Sequence, residues 1–171
     1  MIHIVLVQPE IPQNTGNIAR TCAATGCDLH LVEPLGFKLE DKYLKRAGLD
    51  YWPMVHLTVH RSFEEVQEIL RGIPFYFTSV RGAVNYSEVT YEDDVVLVFG
   101  RESCGLPENL LKDHYDHCIR IPMIDEARSL NLSNSVAIVT YEVLRQKNFS
   151  HLRSMGSLTG DCHLKNWKDY V

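Results

Sequence analysis

The sequence predicts an α/β fold in which a mostly parallel sheet is covered by helices on both faces. Two observations predict it: short runs rich in β-branched and aromatic residues recur along the chain, and helical patterns fall between them. The size agrees, because 171 residues with 45% hydrophobic side chains suffice for one compact domain with its own core.

Taken in order, the strand candidates are IHIVLV (2–7), LHLVE (29–33), VHLTV (55–59), PFYFTS (74–79), VVLVF (95–99) and CIRI (118–121). The helical candidates are TGNIARTCAATG (15–26), KLEDKYLKRA (38–47), SFEEVQEILRG (62–72), PENLLKDH (107–114) and a longer one after Ser133. Ser62 with Glu65 forms a capping box at the third of these. Strands alternating with helices make βαβ units, and in such sheets ligands bind beyond the carboxyl ends of the strands, so the loops that follow the strands are where a site is sought. The tail SHLRSMGSLTGDCHLKNWKDYV (150–171) loses the periodicity.

Composition excludes several classes. Met1 is followed at once by IHIVLV, without the basic region and small-residue cleavage site of a signal peptide, and no apolar stretch approaches the roughly 20 residues of a membrane helix. A cytoplasmic chain with no membrane partner is therefore expected. The five cysteines (Cys22, Cys27, Cys104, Cys118, Cys162) are odd in number and form no C-x-x-C pair, so neither a disulfide framework nor a zinc ribbon is expected. A net charge of -5 argues against broad non-specific nucleic-acid binding. One local basic cluster stands out, Lys38, Lys42, Lys45 and Arg46, which reads equally as a solvated helix face or as a phosphate-binding segment.

Three loops after strands carry unusual polarity. In QPEIPQNTGNIAR (8–20), Asn14 or Thr15 is expected to cap a helix that begins near Gly16, while Asn17 and Arg20 lie three apart on one face near its positive end, a pairing suited to an anion or a ribose. In FGRESCGLPENL (99–110), Gly100 and Gly105 bracket a turn with Glu102 beside it, and neither a Walker site nor a dinucleotide fingerprint is present. In IPMIDEARSLNLSNS (121–135), Ser133 or Asn134 is expected to cap the last helix, leaving Ser129 and Asn131 without a structural task. Beyond that cap, Ala137, Tyr141 and Leu144 share one face and Val136, Val139 and Val143 another, so the helix is expected to be buried on two sides, one of them by a second subunit.

The stretches N-T-G-N-I-A-R (14–20), F-G-x-E-x-x-G-L-P (99–107) and I-P-M-x(5)-S-L-N-L-S-N-S (121–135), in this order, resemble the three motifs of the SPOUT RNA ribose methyltransferases. With K-R-A-G-L-D-Y-W (45–52) and no further RNA-binding domain ahead of it, the chain is similar to the minimal branch that methylates the wobble-position ribose of leucine tRNAs. The match covers residues 1–150 and leaves 151–171 as a C-terminal extension. Arg101 and Cys104 depart from the pattern of some relatives, which carry proline and arginine there.

The resemblance implies a C-terminal part threaded into a deep trefoil knot, S-adenosylmethionine bound in that knot, a homodimer around it, and tRNA rather than DNA as the partner. Carried over by position, Thr78, Gly100, Ile121 and Ser129 contact the cofactor. Arg20 is the catalytic arginine, and Asn14, Glu102, Ser129 and Asn131 hold it and the ribose in place. Tyr141 supports the dimer and the substrate, while Lys38, Lys42, Lys45 and Arg46 meet tRNA phosphates. The other function class open to these residues is a non-catalytic RNA-binding or assembly factor on the same fold.

Elsewhere the expectations are plain. His114, His117 and Cys118 suggest a metal only weakly, since no second ligand pair follows at zinc spacing, and no metal is expected. Cys22 and Cys27 read as small core residues of a buried helix, and the methionines and aromatics as core positions.

Overall fold

The structure is a computed structural model that describes residues 1–39 and 54–156. Its strands are β1 (Ile2–Val7), β2 (Asp28–Val32), β3 (Leu57–His60), β4 (Phe75–Thr78), β5 (Val84–Asn85), β6 (Val95–Phe99) and β7 (Cys118–Arg120). Helices α1 (Pro12–Thr25), α2 (Phe63–Ile69), α3 (Glu108–Asp113) and α4 (Leu132–Gln146) alternate with them. The strands form one sheet in the order β3-β2-β1-β6-β4-β7-β5, every neighbouring pair parallel. β1 and β6 run side by side at its centre, with Ile2 opposite Val95 and Leu6 opposite Phe99.

Parallel strands buried on both faces need apolar residues at every position, and β6, VVLVF, is buried at all five. Its alternate side chains serve two cores. Val95, Leu97 and Phe99 join Ile4, Leu6, Ile18, Val139 and Val143 beneath α1 and α4. Val96 and Val98 join Val5, Phe77, Val66, Leu70 and Leu111 beneath α2 and α3. The period-2 geometry of a strand thus sorts one apolar run between two helical layers.

The capping box at Ser62 is present in modified form: the Glu65 N–H donates to Ser62 Oγ at 3.4 Å, while the Glu65 carboxylate accepts from the N–H of Arg61, at 2.8 Å, rather than from that of Ser62. Several expectations are corrected. The first helix begins at Pro12, not near Gly16, so Asn14 and Thr15 lie inside its first turns and are buried instead of capping it. Pro12 has its φ preset for the first helical position and no N–H to leave unpaired there. Asn131, not Ser133 or Asn134, caps the last helix. Leu144 packs with Val136, Val139 and Val143 in the core and does not share the outer face with Tyr141, which is 48% exposed. Cys27 is buried but lies past the end of α1. Met1, Met54 and Met155 are exposed, so the methionines do not follow the core pattern. The short edge strand β5 was not foreseen, because two residues carry no readable periodicity. The helix expected over 38–47 falls almost wholly outside the described residues, together with Lys42, Lys45 and Arg46, while Lys38 is exposed.

Packing continues past residue 150. His151 Nε2 lies 2.9 Å from the carbonyl oxygen of Thr25, and Leu152 packs on the core beneath α1 and α4.

One polar row crosses the sheet. His3 on β1, His30 on β2 and His60 on β3 stand side by side, with His3 Nδ1 3.2 Å from His30 Nε2 and His30 Nδ1 3.0 Å from His60 Nε2. Burial lowers the pKa of all three, that of His30 to about 4, so the row is neutral at pH 7.

The α2 cap is exposed and isolated, which makes it a clean test of local stability. Ser62→Ala should lower the unfolding free energy by about 0.5 to 1 kcal/mol, read as a shift of the urea midpoint with unchanged slope.

Candidate active site

The carboxyl ends of β1, β4, β6 and β7 open into one cavity of about 950 Å³, a volume in the range of small-molecule sites. Its wall includes Gln8 after β1, Thr78 at the end of β4, Gly100 and Glu102 after β6, Ile121 after β7, and Ser129 with Asn131 before α4. Each of the three polar loops singled out in the sequence therefore contributes to it.

Glu102 is the hub. Its carboxylate accepts the N–H groups of Glu10 (2.8 Å) and Ile11 (3.3 Å), the two residues that lead into α1, and the Asn14 amide Nδ2 (3.0 Å). A carboxylate only accepts, so the NH₂ of Asn14 must face it, and Asn14 Oδ1 turns the other way. There it accepts from Asn131 Nδ2 at 2.9 Å. The remaining oxygen of that amide, Asn131 Oδ1, accepts from Ser133 N (2.9 Å) and Ser133 Oγ (2.7 Å), which starts α4. One chain of hydrogen bonds thus joins the loop after β6, the start of α1 and the start of α4. The negative charge also sits at the positive end of α1.

The Gly100 turn closes the site from below. A Cβ on Gly100 would stand 2.1 Å from the carbonyl carbon of Gly105 and 2.3 Å from the nitrogen of Leu106, so only glycine fits. Gly105 itself has φ +72, and Arg101 and Gly105 exchange backbone hydrogen bonds of 3.2 and 2.9 Å across the turn. The cavity floor there is bare backbone, able to lie against a flat group.

Two further contacts brace the rim. Arg101 donates through Nε to Gln8 Oε1 at 2.8 Å, and its Nη2 contacts the same oxygen. Ser103 donates from its N–H and its hydroxyl to the two Glu10 carboxylate oxygens, at 3.0 and 2.9 Å, and the hydroxyl bond first, then the backbone bond, lower the Glu10 pKa. The sequence reading missed Gln8 and Glu10. Gln8 is held at φ 54, and no spacing signals a left-handed glutamine.

The expected residues divide into two groups. Asn14, Thr78, Gly100, Glu102, Ile121, Ser129 and Asn131 line the cavity. Arg20 and Tyr141 do not: both lie exposed on the outer faces of α1 and α4, helices that pack against each other. Asn131, expected to lack a structural task, has one as the cap of α4.

Thr78 Oγ1 is buried without a hydrogen-bond partner in the wall of the cavity. A buried hydroxyl without a partner costs about 1 to 3 kcal/mol, and a ligand polar group removes that cost. The residues present therefore fit a ligand that combines a flat ring with hydrogen-bonding edges.

A sheet of this order, with Gly-lined and Asn-lined loops meeting at its carboxyl edge, defines a class as well as a site: residues 1–141 match the SpoU rRNA Methylase family, and the chain belongs to it. Among its relatives is a tRNA (cytidine(34)-2'-O)-methyltransferase of Methylovorus glucosotrophus, 49% identical over 152 residues, which are 88% of this chain and 98% of that one. A solved structure described as giving insights into the 2-OH methylation of C/U34 on tRNA is 49% identical and superposes with a TM-score of 0.83 over 87% of this chain and 97% of the other. An AdoMet-bound rRNA methyltransferase from Sinorhizobium meliloti is 27% identical, with a TM-score of 0.77 over 90% of this chain and 57% of that longer protein.

The Glu102 network yields a direct test. Glu102→Gln replaces one acceptor oxygen with an NH₂ that faces other donors, so stability should fall by about 1 to 3 kcal/mol in urea unfolding. An unchanged midpoint would show that Glu102 does not hold the loops.

Proposed function

We propose that this chain transfers a methyl group from S-adenosylmethionine to the ribose 2′-hydroxyl of the wobble nucleotide, cytidine or modified uridine 34, of leucine tRNAs. The observation that carries this reading is the hydrogen-bonded chain Glu102–Asn14–Asn131, which draws the three polar loops onto one cavity. The names of relatives about half identical over nearly the whole chain support it.

When bound, S-adenosylmethionine supplies an electrophilic methyl group. Thr78, Ser129 and the backbone at Gly100 and Ile121 would hold it, the Thr78 hydroxyl gaining the partner it lacks. The chain's own task is then alignment, because a correctly placed pair of reactants can lower the barrier by roughly 7 to 11 kcal/mol. Arg20 is assigned to the ribose. A guanidinium keeps its proton, so Arg20 orients the 2′-oxygen and stabilises its developing negative charge instead of removing its proton. Asn14 and Glu102 act through position: they anchor α1 six residues before Arg20, about 9 Å along the axis, and so fix where that side chain starts.

Arg20 lies off the wall of its own chain's cavity, which is the reason for assigning a homodimer. The outer faces of α1 and α4 would pair about a twofold axis, bringing the partner subunit's Arg20 to the cavity and covering Tyr141. The C-terminal part is assigned the trefoil knot of the family, with residues 1–150 as the methyltransferase unit and 151–171 as an extension. Lys38, Lys42, Lys45 and Arg46 are assigned to tRNA phosphates.

Calorimetry should show binding of S-adenosylmethionine and none of NAD. Arg20→Ala should leave that binding nearly unchanged and slow methyl transfer to a leucine tRNA by ~10² to 10³-fold, followed with labelled cofactor. Undiminished transfer would remove Arg20 from the mechanism.

The dimer has its own test. Tyr141→Asp places a charge in a desolvated contact, and sedimentation velocity should show a monomer that has lost activity. A wild-type monomer with full activity would overturn the paired-helix arrangement.

A further inference from the structure

The His3 and Asp28 end of the histidine row lies at the amino-terminal edge of the sheet, opposite the cavity, and the row runs diagonally from there to His60, the last residue of β3. His3 is the second residue of β1 and Asp28 the first of β2, and they stand opposite each other in register. Val7, on the cavity wall, is four residues further along β1, about 13 Å away. The methyl-transfer reading uses none of these groups.

Their geometry is specific. His3 Nδ1 lies 3.2 Å from His30 Nε2 and 3.6 Å from Asp28 Oδ2, and one donor atom from each residue falls within 4.8 Å of the others. A tetrahedral ion with ligands at about 2.0 to 2.1 Å requires its donors to be about 3.3 Å apart, close to both measured separations. The donor set, two imidazoles and a carboxylate, is that of a borderline-soft cation. The second ring nitrogen of His30 is also engaged, with Nδ1 3.0 Å from His60 Nε2, and such an outer bond fixes the tautomer that leaves Nε2 free to ligate. His60 is 1% exposed and stacked on His30 with ring centroids 5.2 Å apart, so that support is rigid. The His3 and Asp28 side chains are 11% and 23% exposed, which leaves a path for entry and a fourth position toward solvent. On that side His56, itself exposed, lies with Nδ1 3.2 Å from Asp28 Oδ1.

We propose that His3, Asp28 and His30 form a binding site for a divalent transition-metal ion of the zinc class. The ion ties β1 to β2 at the amino-terminal edge of the sheet and, through His60, braces β3. Its role is structural, far from the methyl-transfer cavity, and it stands whether or not the proposed substrate is correct. Magnesium, which prefers oxygen ligands, is not bound there.

The experiment is equilibrium dialysis of the chelator-stripped full chain against Zn²⁺, with metal analysis, and in parallel against Mg²⁺. One zinc per chain and no magnesium are expected. Asp28→Asn, close in shape, and His3→Gln should each weaken zinc binding by about tenfold or more while far-UV dichroism is unchanged. Zinc should also move the imidazole nitrogen resonances of His3 and His30 in the wild-type protein, a readout that needs no variant to fold. Absence of bound zinc, unmoved His3 and His30 resonances, or undiminished zinc in both variants would each overturn the site, the last by assigning the metal to other groups of the chain.

Discussion

The cavity depends on a single carboxylate. Glu102 reaches it on a turn that only glycine can form, at Gly100, and from there it accepts three N–H groups at the start of α1. Hydrogen bonds to a charged acceptor are stronger than neutral ones, and inside a partly buried site little water competes for them. Asn14 passes the constraint on, because an amide that gives its NH₂ to the carboxylate must offer its oxygen to Asn131, and Asn131 must then begin α4. The start of α1, the turn after β6 and the start of α4 are thereby positioned by one polar chain. Since Asn14 is 5% exposed and paired through both ends of its amide, the network is satisfied at its buried centre.

The sheet supplies the rigid side of this arrangement. β1 and β6, buried between two helical layers, end next to each other, so Gln8 and Gly100 emerge side by side at the cavity edge. The loops carry the polar groups, but apolar packing of Val95 to Phe99 decides where those loops start. The cavity opens at the carboxyl edge, while His3 and Asp28 begin the histidine row at the amino-terminal edge of β1 and β2, about 13 Å from Val7 along the strand. Neither region interrupts the apolar faces beneath α1 and α4.

Arg20 and Tyr141 mark what one chain does not enclose. Both project from helices whose inner faces are fully committed to the core, through Ile18 and Ala19 on α1 and Val139 and Val143 on α4. A helix holds only one face against a sheet, so residues opposite that face lie outward whatever their chemistry.

Sequence alone determined the α/β class, the five longest strands to within about two residues, and the three loops that meet at the cavity. These follow from local rules: apolar runs of strand length, and polar residues in excess of what a helix end uses. It also identified Asn14, Thr78, Gly100, Glu102, Ile121, Ser129 and Asn131 as a group, through motif resemblance, and all seven line one cavity. Only the tertiary structure decided what each does. That Glu102 binds the entry to α1, that Asn131 donates to Asn14, and that Gln8 pairs with Arg101 depend on contacts between residues about 90 or more apart, or on a backbone conformation that no local pattern encodes. The same holds for His3, His30 and His60. His3 and His30 read in sequence as polar residues within apolar strands and His60 falls just past the strand read over 55–59, and only parallel pairing in the order β3-β2-β1 sets the three rings side by side.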